Sequence, residues 1–241
     1  MDTAVTPPCC ILFVKLPEPG RVKTRLARVL GAADAARLYR QFVVDQLREL
    51  ELAQAQQPLA LRVLYDAGDC DAPLALERCV AWLGKGHCYE PQIRGDLGAR
   101  MDAAMCAAFH DGFERVLLLG SDVPDFPAAL LCRAHEELAR HDAVISPVAD
   151  GGYCLVGFRR DAYLPEIFMD MPWSTPEVCA LTLQRLKEAG RHVALLPEWS
   201  DVDTVDDLRL LLHTSRNPAF RRTSSYALLQ EMLLAVDAAK V

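Results

Sequence analysis

Short apolar runs alternate with segments of helical period along nearly the whole chain, and that alternation restricts its possible folds more than any other feature. Cys9-Cys10-Ile11-Leu12-Phe13-Val14 is apolar throughout, as a strand covered on both faces would be. Ala35, Leu38, Tyr39, Phe42, Val43, Leu47 and Leu50 then recur at helical spacing. A strand over 59–65, a helix over 73–83, a short strand near 87–89 and a helix over 96–113 follow, the last with Met101, Ala104, Met105 and Ala108 inward. Val116-Leu-Leu-Leu119 is the clearest buried strand. After it come a helix over 127–140, strands over 143–148 and 153–158, a helix over 175–189 and a strand over 192–196. Asp203-Thr204 opens a further helix with Asp206 and Asp207 in its first turn, the end that favours negative charge.

This order predicts an α/β fold built on a mostly parallel sheet with helices on both faces. No low-complexity linker interrupts it, so residues 1–213 are expected to form one domain. Residues 214–225 read as a mobile connection to a terminal helix near 226–236, with Leu228, Leu229, Met232 and Leu233 on one side. That helix packs either on its own domain or on a partner chain, which would make a homodimer.

Bulk properties exclude several classes. Half of the residues are hydrophobic, enough for a full core. A net charge of −7 argues against nucleic acid as the main partner. No apolar run approaches the roughly 18 residues of a membrane span. The opening residues lack a charged segment followed by an apolar one, so no signal peptide is expected. The nine cysteines are odd in number and form no C-x-x-C, which fits a reduced, cytoplasmic protein better than a disulfide framework. The six histidines show no ligand or triad spacing, and no G-x-S-x-G occurs.

The chemistry concentrates at strand ends. Lys15 to Arg28, after the first strand, carries Lys15, Arg21, Lys23, Arg25 and Arg28 against one acid, Glu18, a local charge of +4 in an acidic chain. Such a loop suggests a bound anion such as a nucleotide phosphate. It is no P-loop, because Pro17 and Val22 stand where glycines are required, and no G-x-G-x-x-G is present. Ligands of open parallel sheets bind at the carboxyl ends of strands. There the chain places Ser121-Asp122-Val-Pro-Asp125, Asp150-Gly151-Gly152-Tyr153 and Asp201-Val-Asp203-Thr204. Asp122, Asp201 and Asp203 suit Mg²⁺, an ion that keeps waters and shares phosphate oxygens. Asp203-Thr204 also reads as a helix cap. The glycines of Asp150-Gly-Gly-Tyr either admit a ligand close to the backbone or make a plain turn. Gly95-Asp96-Leu-Gly98-Ala-Arg100 offers backbone donors and a cation. Trp173-Ser174-Thr175 is an acceptor-side wall or a helix cap.

Taken together, Lys15-x-Pro-x-Pro-Gly20-x-x-Lys23-Thr-Arg25-Leu26, Gly95-Asp-Leu-Gly-x-Arg100-Met, Gly120-Ser-Asp122-x-Pro124, Asp150-Gly-Gly-Tyr153, Pro172-Trp-Ser-Thr and Asp201-x-Asp203-Thr resemble a bacterial, glycosyltransferase-like family. This is the GT-A-fold, rSAM/selenodomain-associated transferase type, within the nucleotide-diphospho-sugar transferase superfamily. The chain is also similar to 2-phospholactate guanylyltransferase. The resemblance implies that Lys23 and Arg25 grip phosphates with Lys15 behind them, and that Asp122, Asp201 and Asp203 hold Mg²⁺ or Mn²⁺. It implies a metal-dependent transferase using a nucleoside triphosphate or nucleotide-sugar and a small acceptor. A glycosyltransferase of this fold usually carries Asp-x-Asp where this chain has Asp122-Val-Pro-Asp125, which tilts the expectation towards nucleotidyl transfer. A non-catalytic nucleotide sensor is the alternative.

Overall fold

The computed structural model describes residues 6–238. The opening residues 1–5, where the absence of a signal peptide was expected, lie outside the described residues. Seven strands form one sheet: β1 (Cys9–Lys15), β2 (Ala60–Asp66), β3 (Cys88–Pro91), β4 (Arg115–Leu119), β5 (Ala143–Pro147), β6 (Tyr153–Arg159) and β7 (Val193–Leu195). Their spatial order is β3-β2-β1-β4-β6-β5-β7. Every pairing is parallel except those of β6, which runs antiparallel to β4 and to β5. The expected mostly parallel sheet is therefore present, with one reversed strand inside it.

That topology decides where chemistry can gather. β1 pairs with β2 on one side and with β4 on the other, so the chain direction of assembly reverses beside β1 and a crevice opens at the strand ends. Lys15 closes β1, and Asp122 lies three residues after β4. Because β6 is reversed, its first residues rather than its last reach this edge, which brings the turn at 148–152 to the same crevice.

The described residues form eight α-helices around the sheet: α1 (Thr24–Leu30), α2 (Ala32–Gln56), α3 (Ala72–Leu83), α4 (Leu97–His110), α5 (Ala128–Glu137), α6 (Val178–Glu188), α7 (Val205–Thr214) and α8 (Ser224–Ala238). Alternate residues of β1 serve opposite faces, as the two-residue period requires. Cys10, Leu12 and Val14 join the core under α2, α3 and α5, and Cys9, Ile11 and Phe13 join the core under α4 and α6. A third cluster joins Leu26 of α1, Phe42 of α2, Leu208 of α7 and Leu229 of α8. The terminal helix thus packs on its own domain. Among the described residues no helix is long and apolar enough to cross a membrane. All nine cysteines are unpaired.

The segment expected to be a mobile connection is anchored instead. Phe220 is fully buried, Asn217 donates to Glu49 at 3.0 Å, and Ser215 donates to Asp125 at 2.6 Å. Its polar composition hid one large apolar residue and two long-range hydrogen bonds.

α2 is the spine of the molecule. Its inward polar residues supply bonds that no neighbouring element makes locally. Glu49 accepts from the backbone of Ala128 at 2.8 Å and so caps α5, whose own N-cap is Pro127. Asp45 accepts from the backbone of Ser225 at 2.8 Å, fixing the start of α8.

His135 is buried on α5 with neither ring nitrogen hydrogen-bonded, and burial together with the Arg115 charge pushes its pKa down from 6.5 to about 3. Between those values the unfolded chain binds a proton that the folded protein refuses, so this group costs stability as pH falls. Near pH 5 the cost is about 2 kcal/mol by that linkage. His135→Leu should therefore shrink the loss of Tm between pH 7 and pH 5 by about 4–8 °C. An unchanged loss in thermal melts would contradict the assignment.

Candidate functional site

The basic loop divides its cations between two tasks. Arg21 leans away from the crevice, pairing with Asp69 at 2.9 Å and Glu18 at 3.6 Å, and its guanidinium lies over Gly68 in the loop after β2. Lys23 turns inward. Its backbone is left-handed, with φ 46° and ψ 48°, a conformation that costs a non-glycine residue roughly 1–2 kcal/mol. The turn before it is made possible by Gly20 at φ 82°. α1 is seven residues long, so the cationic side chains rather than the helix terminus must carry any bound anion.

Lys23 Nζ donates to both Asp122 and Asp203, the latter at 3.2 Å, and its side chain is only 2% exposed. Arg25 adds a contact to the other oxygen of Asp203 at 3.5 Å. Three segments far apart in sequence thus meet at one ammonium group. Desolvation by the surrounding protein pushes the Asp122 carboxyl upward only against a side chain that is still 57% exposed, and the Lys23 charge and hydrogen bond, with Lys15 behind them, outweigh it and hold the pKa below the usual range. Burial lowers the Lys23 pKa in the same way, and the two carboxylates more than reverse it. Both groups are charged at neutral pH. Asp201 lies in the opposite situation. Burial, then repulsion from Asp150 and Asp203, pushes its pKa up to about 6, and among the described residues no cation lies within ion-pairing distance of it.

Hydrogen bonds from α2 fix the strand ends that carry these groups. Tyr39 accepts from the backbone of Lys15 at 2.9 Å and shares a 2.8 Å hydrogen bond with Ser121. Gln46 donates to the carbonyl of Gly120 at 2.8 Å. Val202 N–H donates to the carbonyl of Asp122 at 3.0 Å, joining the two acidic segments directly.

A groove of about 440 Å³ runs past this cluster. Lys15, Asp122, Asp150, Asp201 and Asp203 line it together with Arg100, Tyr153 and Trp173. Arg100 is fixed in the wall by Asp66 at 3.1 Å and Gln92 at 3.2 Å, and Gly95, at φ 152°, precedes Asp96, the N-cap of α4. Gly151 is a packing position: at φ 90° it lies against the backbone of Pro176, and its carbonyl accepts from Cys179 at 2.9 Å. Gly152 donates to Asp150 at 2.9 Å, so this turn is closed on itself. The Tyr153 hydroxyl is buried beside Thr182 and Cys179, leaving the ring for the groove. Neither Ser174 nor Thr175 caps α6, whose N-cap is Glu177; Thr175 bonds back to Pro172 at 2.8 Å, and the turn sets Trp173 against Gly98. Thr204, not Asp203, caps α7, in a capping box with Asp207, which leaves the Asp203 carboxylate for Lys23 and Arg25.

Asp125 is no part of the cluster. It is buried, accepting from Trp199 at 2.7 Å and Ser215 at 2.6 Å. Among the described residues no three His, Cys, Asp or Glu side chains are gathered closely enough to enclose a metal ion. Asp122 and Asp203 nevertheless converge on one cationic atom, Lys23 Nζ, and Asp201 adds uncompensated negative charge. Carboxylate oxygens of this kind are the hard donors that Mg²⁺ or Mn²⁺ prefers, and Asp122, Asp203 and Asp201 are the residues that could hold such an ion.

The sequence matches the model of a family described as an uncharacterized protein conserved in bacteria (DUF2064) over residues 49–175. No curated protein matches it. Among solved structures, a protein from Desulfovibrio desulfuricans provisionally named a nucleotide-diphospho-sugar transferase is 45% identical, with a TM-score of 0.88 over 96% of this chain and 97% of that one. A cytidylyltransferase from Leptospira borgpetersenii is 14% identical, with a TM-score of 0.53 over 98% and 95% of the two chains. A nucleotidyl transferase from Methanothermobacter thermautotrophicus is 17% identical, with a TM-score of 0.54 over 85% and 95%. The fold is that of the nucleotide-diphospho-sugar transferases, as the motifs implied.

The two kinds of aspartate should separate in a stability measurement. Asp125→Asn disturbs two buried hydrogen bonds and should cost about 1–3 kcal/mol. Asp201→Asn relieves repulsion and should leave stability unchanged or raise it by about 1 kcal/mol. Urea unfolding at pH 7 decides; equal losses in both variants would contradict the charge distribution described.

Proposed function

The chain belongs to the DUF2064 family, and we propose that it is a nucleotide-dependent transferase whose groove takes a nucleoside triphosphate and a small acceptor. The observation that carries this reading is the buried Lys23 ammonium shared by Asp122 and Asp203, with Arg25 and Lys15 beside it at the end of β1. Cations of this kind, placed where phosphate charge develops, are what transfer from a nucleotide requires.

In the reading, Lys15, Lys23 and Arg25 bind the phosphates. An acceptor oxygen bonds to the α-phosphorus while the bond from that phosphorus to the β-phosphate oxygen breaks, and pyrophosphate leaves with its charge matched by those cations. Asp122 and Asp203, with Asp201 beside them, would hold Mg²⁺ or Mn²⁺, which when bound supplies Lewis-acid polarisation and charge neutralisation. Asp150, Tyr153 and Trp173 line the same groove, and the acceptor would sit against them.

Nucleotidyl transfer is favoured because Asp125, the residue that would complete an Asp-x-Asp-like pair, is turned into the interior by Trp199 and Ser215. Support also comes from the cytidylyl- and nucleotidyltransferases that share the fold, one relative having been solved with CTP. Glycosyl transfer is the second reading, supported by the provisional name of the 45% identical relative. It would use the same cations for a nucleoside diphosphate leaving group.

A thermal-shift panel of nucleoside triphosphates and nucleotide-sugars, each with and without Mg²⁺ or Mn²⁺, tests the reading. A ligand at about 100 times its Kd should add about 2.7 kcal/mol, or roughly 5–10 °C. One triphosphate should stabilise the wild type and not Asp122→Ala, and pyrophosphate release should follow when the acceptor is supplied. Preference for an intact nucleotide-sugar would select the glycosyl reading. Stabilisation without any turnover would indicate a sensor, and no shift with any nucleotide would end the proposal.

A further inference from the structure

We infer that Lys23 occupies the cation position of the nucleotide-free site, so that a divalent ion enters only together with the triphosphate. The inference rests on the nucleotide reading above and adds an order of binding to it.

Three observations carry it. Lys23 Nζ is bonded to both Asp122 and Asp203, the two carboxylates best placed to ligate an ion, so the positive group already stands between them. The Lys23 side chain is almost wholly buried, and these two carboxylates are its only ion-pair partners among the described residues. Asp201 and Asp150 line the same groove, but among the described residues no three carboxylates are gathered closely enough to enclose an ion without Lys23's two partners.

Charge counting then separates the two routes. A divalent ion arriving alone between Asp122 and Asp203 must displace the ammonium from the carboxylate oxygens it holds. That would leave a buried ammonium without an acceptor beside a doubly charged ion, an arrangement penalised twice, by desolvation and by repulsion. A triphosphate changes the balance because its oxygens accept from the ammonium and ligate the ion together. Lys23 can then exchange two carboxylates for phosphate oxygens at no loss of partners. Its left-handed backbone, at the junction between the Pro/Gly turn and α1, lies where a modest change of φ and ψ re-aims the side chain. Arg25, already touching the outer oxygen of Asp203, retains that carboxylate's position while Lys23 moves.

The test is Mn²⁺ binding followed by water-proton relaxation, which rises when the ion is held by a macromolecule and needs no turnover. The probes are Mn²⁺ alone and Mn²⁺ with an equimolar mixture of ATP, GTP, CTP and UTP. The inference expects little enhancement from the wild type with Mn²⁺ alone and a strong enhancement once the triphosphates are added. Lys23→Met should bind Mn²⁺ without nucleotide at least tenfold more tightly than the wild type; its melting curve establishes that it is folded, and the wild-type titrations stand without it. Tight Mn²⁺ binding by the nucleotide-free wild type, equal to that of Lys23→Met, would overturn the order of binding while leaving the nucleotide reading intact. Stabilisation by a triphosphate with no Mn²⁺ enhancement under any condition would overturn the inference as well. A protein that responds to no triphosphate at all would remove the reading on which it rests.

Discussion

A single buried ammonium group ties together the parts of this molecule that bear on chemistry. Lys23 follows the first strand, Asp122 the fourth and Asp203 the seventh, and their side chains meet only because the sheet brings those strand ends to one edge. The lysine, with a side chain only 2% exposed, could not be buried as a cation without the two carboxylates, which themselves keep part of their surface in water. The arrangement is poor as a device for stability alone, since a well-packed apolar cluster would serve as well or better. Under the proposed function, its use is to receive a more highly charged ligand.

The precision of the cluster comes from behind it. Tyr39 and Gln46 of α2 reach the backbone of Lys15, the hydroxyl of Ser121 and the carbonyl of Gly120, so the ends of β1 and β4 are held from the same helix. The same helix caps α5 through Glu49 and anchors α8 through Asp45. Asp125 extends this framework to the opposite side, gripping Trp199 and Ser215 beneath the Asp201–Asp203 segment. A site assembled from loops is thereby mounted on groups that are themselves satisfied and packed.

Much of this was legible in the sequence, for identifiable reasons. The strands were readable because buried parallel strands are apolar throughout, and Val116–Leu119 could hardly be anything else. Lys23, Asp122 and Asp203 were singled out because residues after strand ends in an open sheet face the ligand crevice, and the structure brings their side chains together. What escaped were interactions that one side chain makes across the fold. Tyr39 scans as one more inward residue of an amphipathic helix, and nothing local marks its hydroxyl as the clamp on two strand ends. Arg21 looks identical to its neighbours in the basic loop, yet it pairs with Asp69, 48 residues away. The reversal of β6 has no signature in its own residues, because an interior strand is apolar whichever way it runs. Phe220 was hidden in a polar stretch that composition alone describes as a tether.

The most direct test is a crystal structure with Mg²⁺ and the triphosphate that stabilises the protein best. The account predicts phosphate oxygens within hydrogen-bond distance of Lys23 Nζ and the Arg25 guanidinium, with Asp122 and Asp203 released from the lysine and turned to the ion. A nucleotide lodged elsewhere, such as the groove beside Trp199 and Arg216, or phosphates bound while Lys23 still bridges both aspartates, would contradict it.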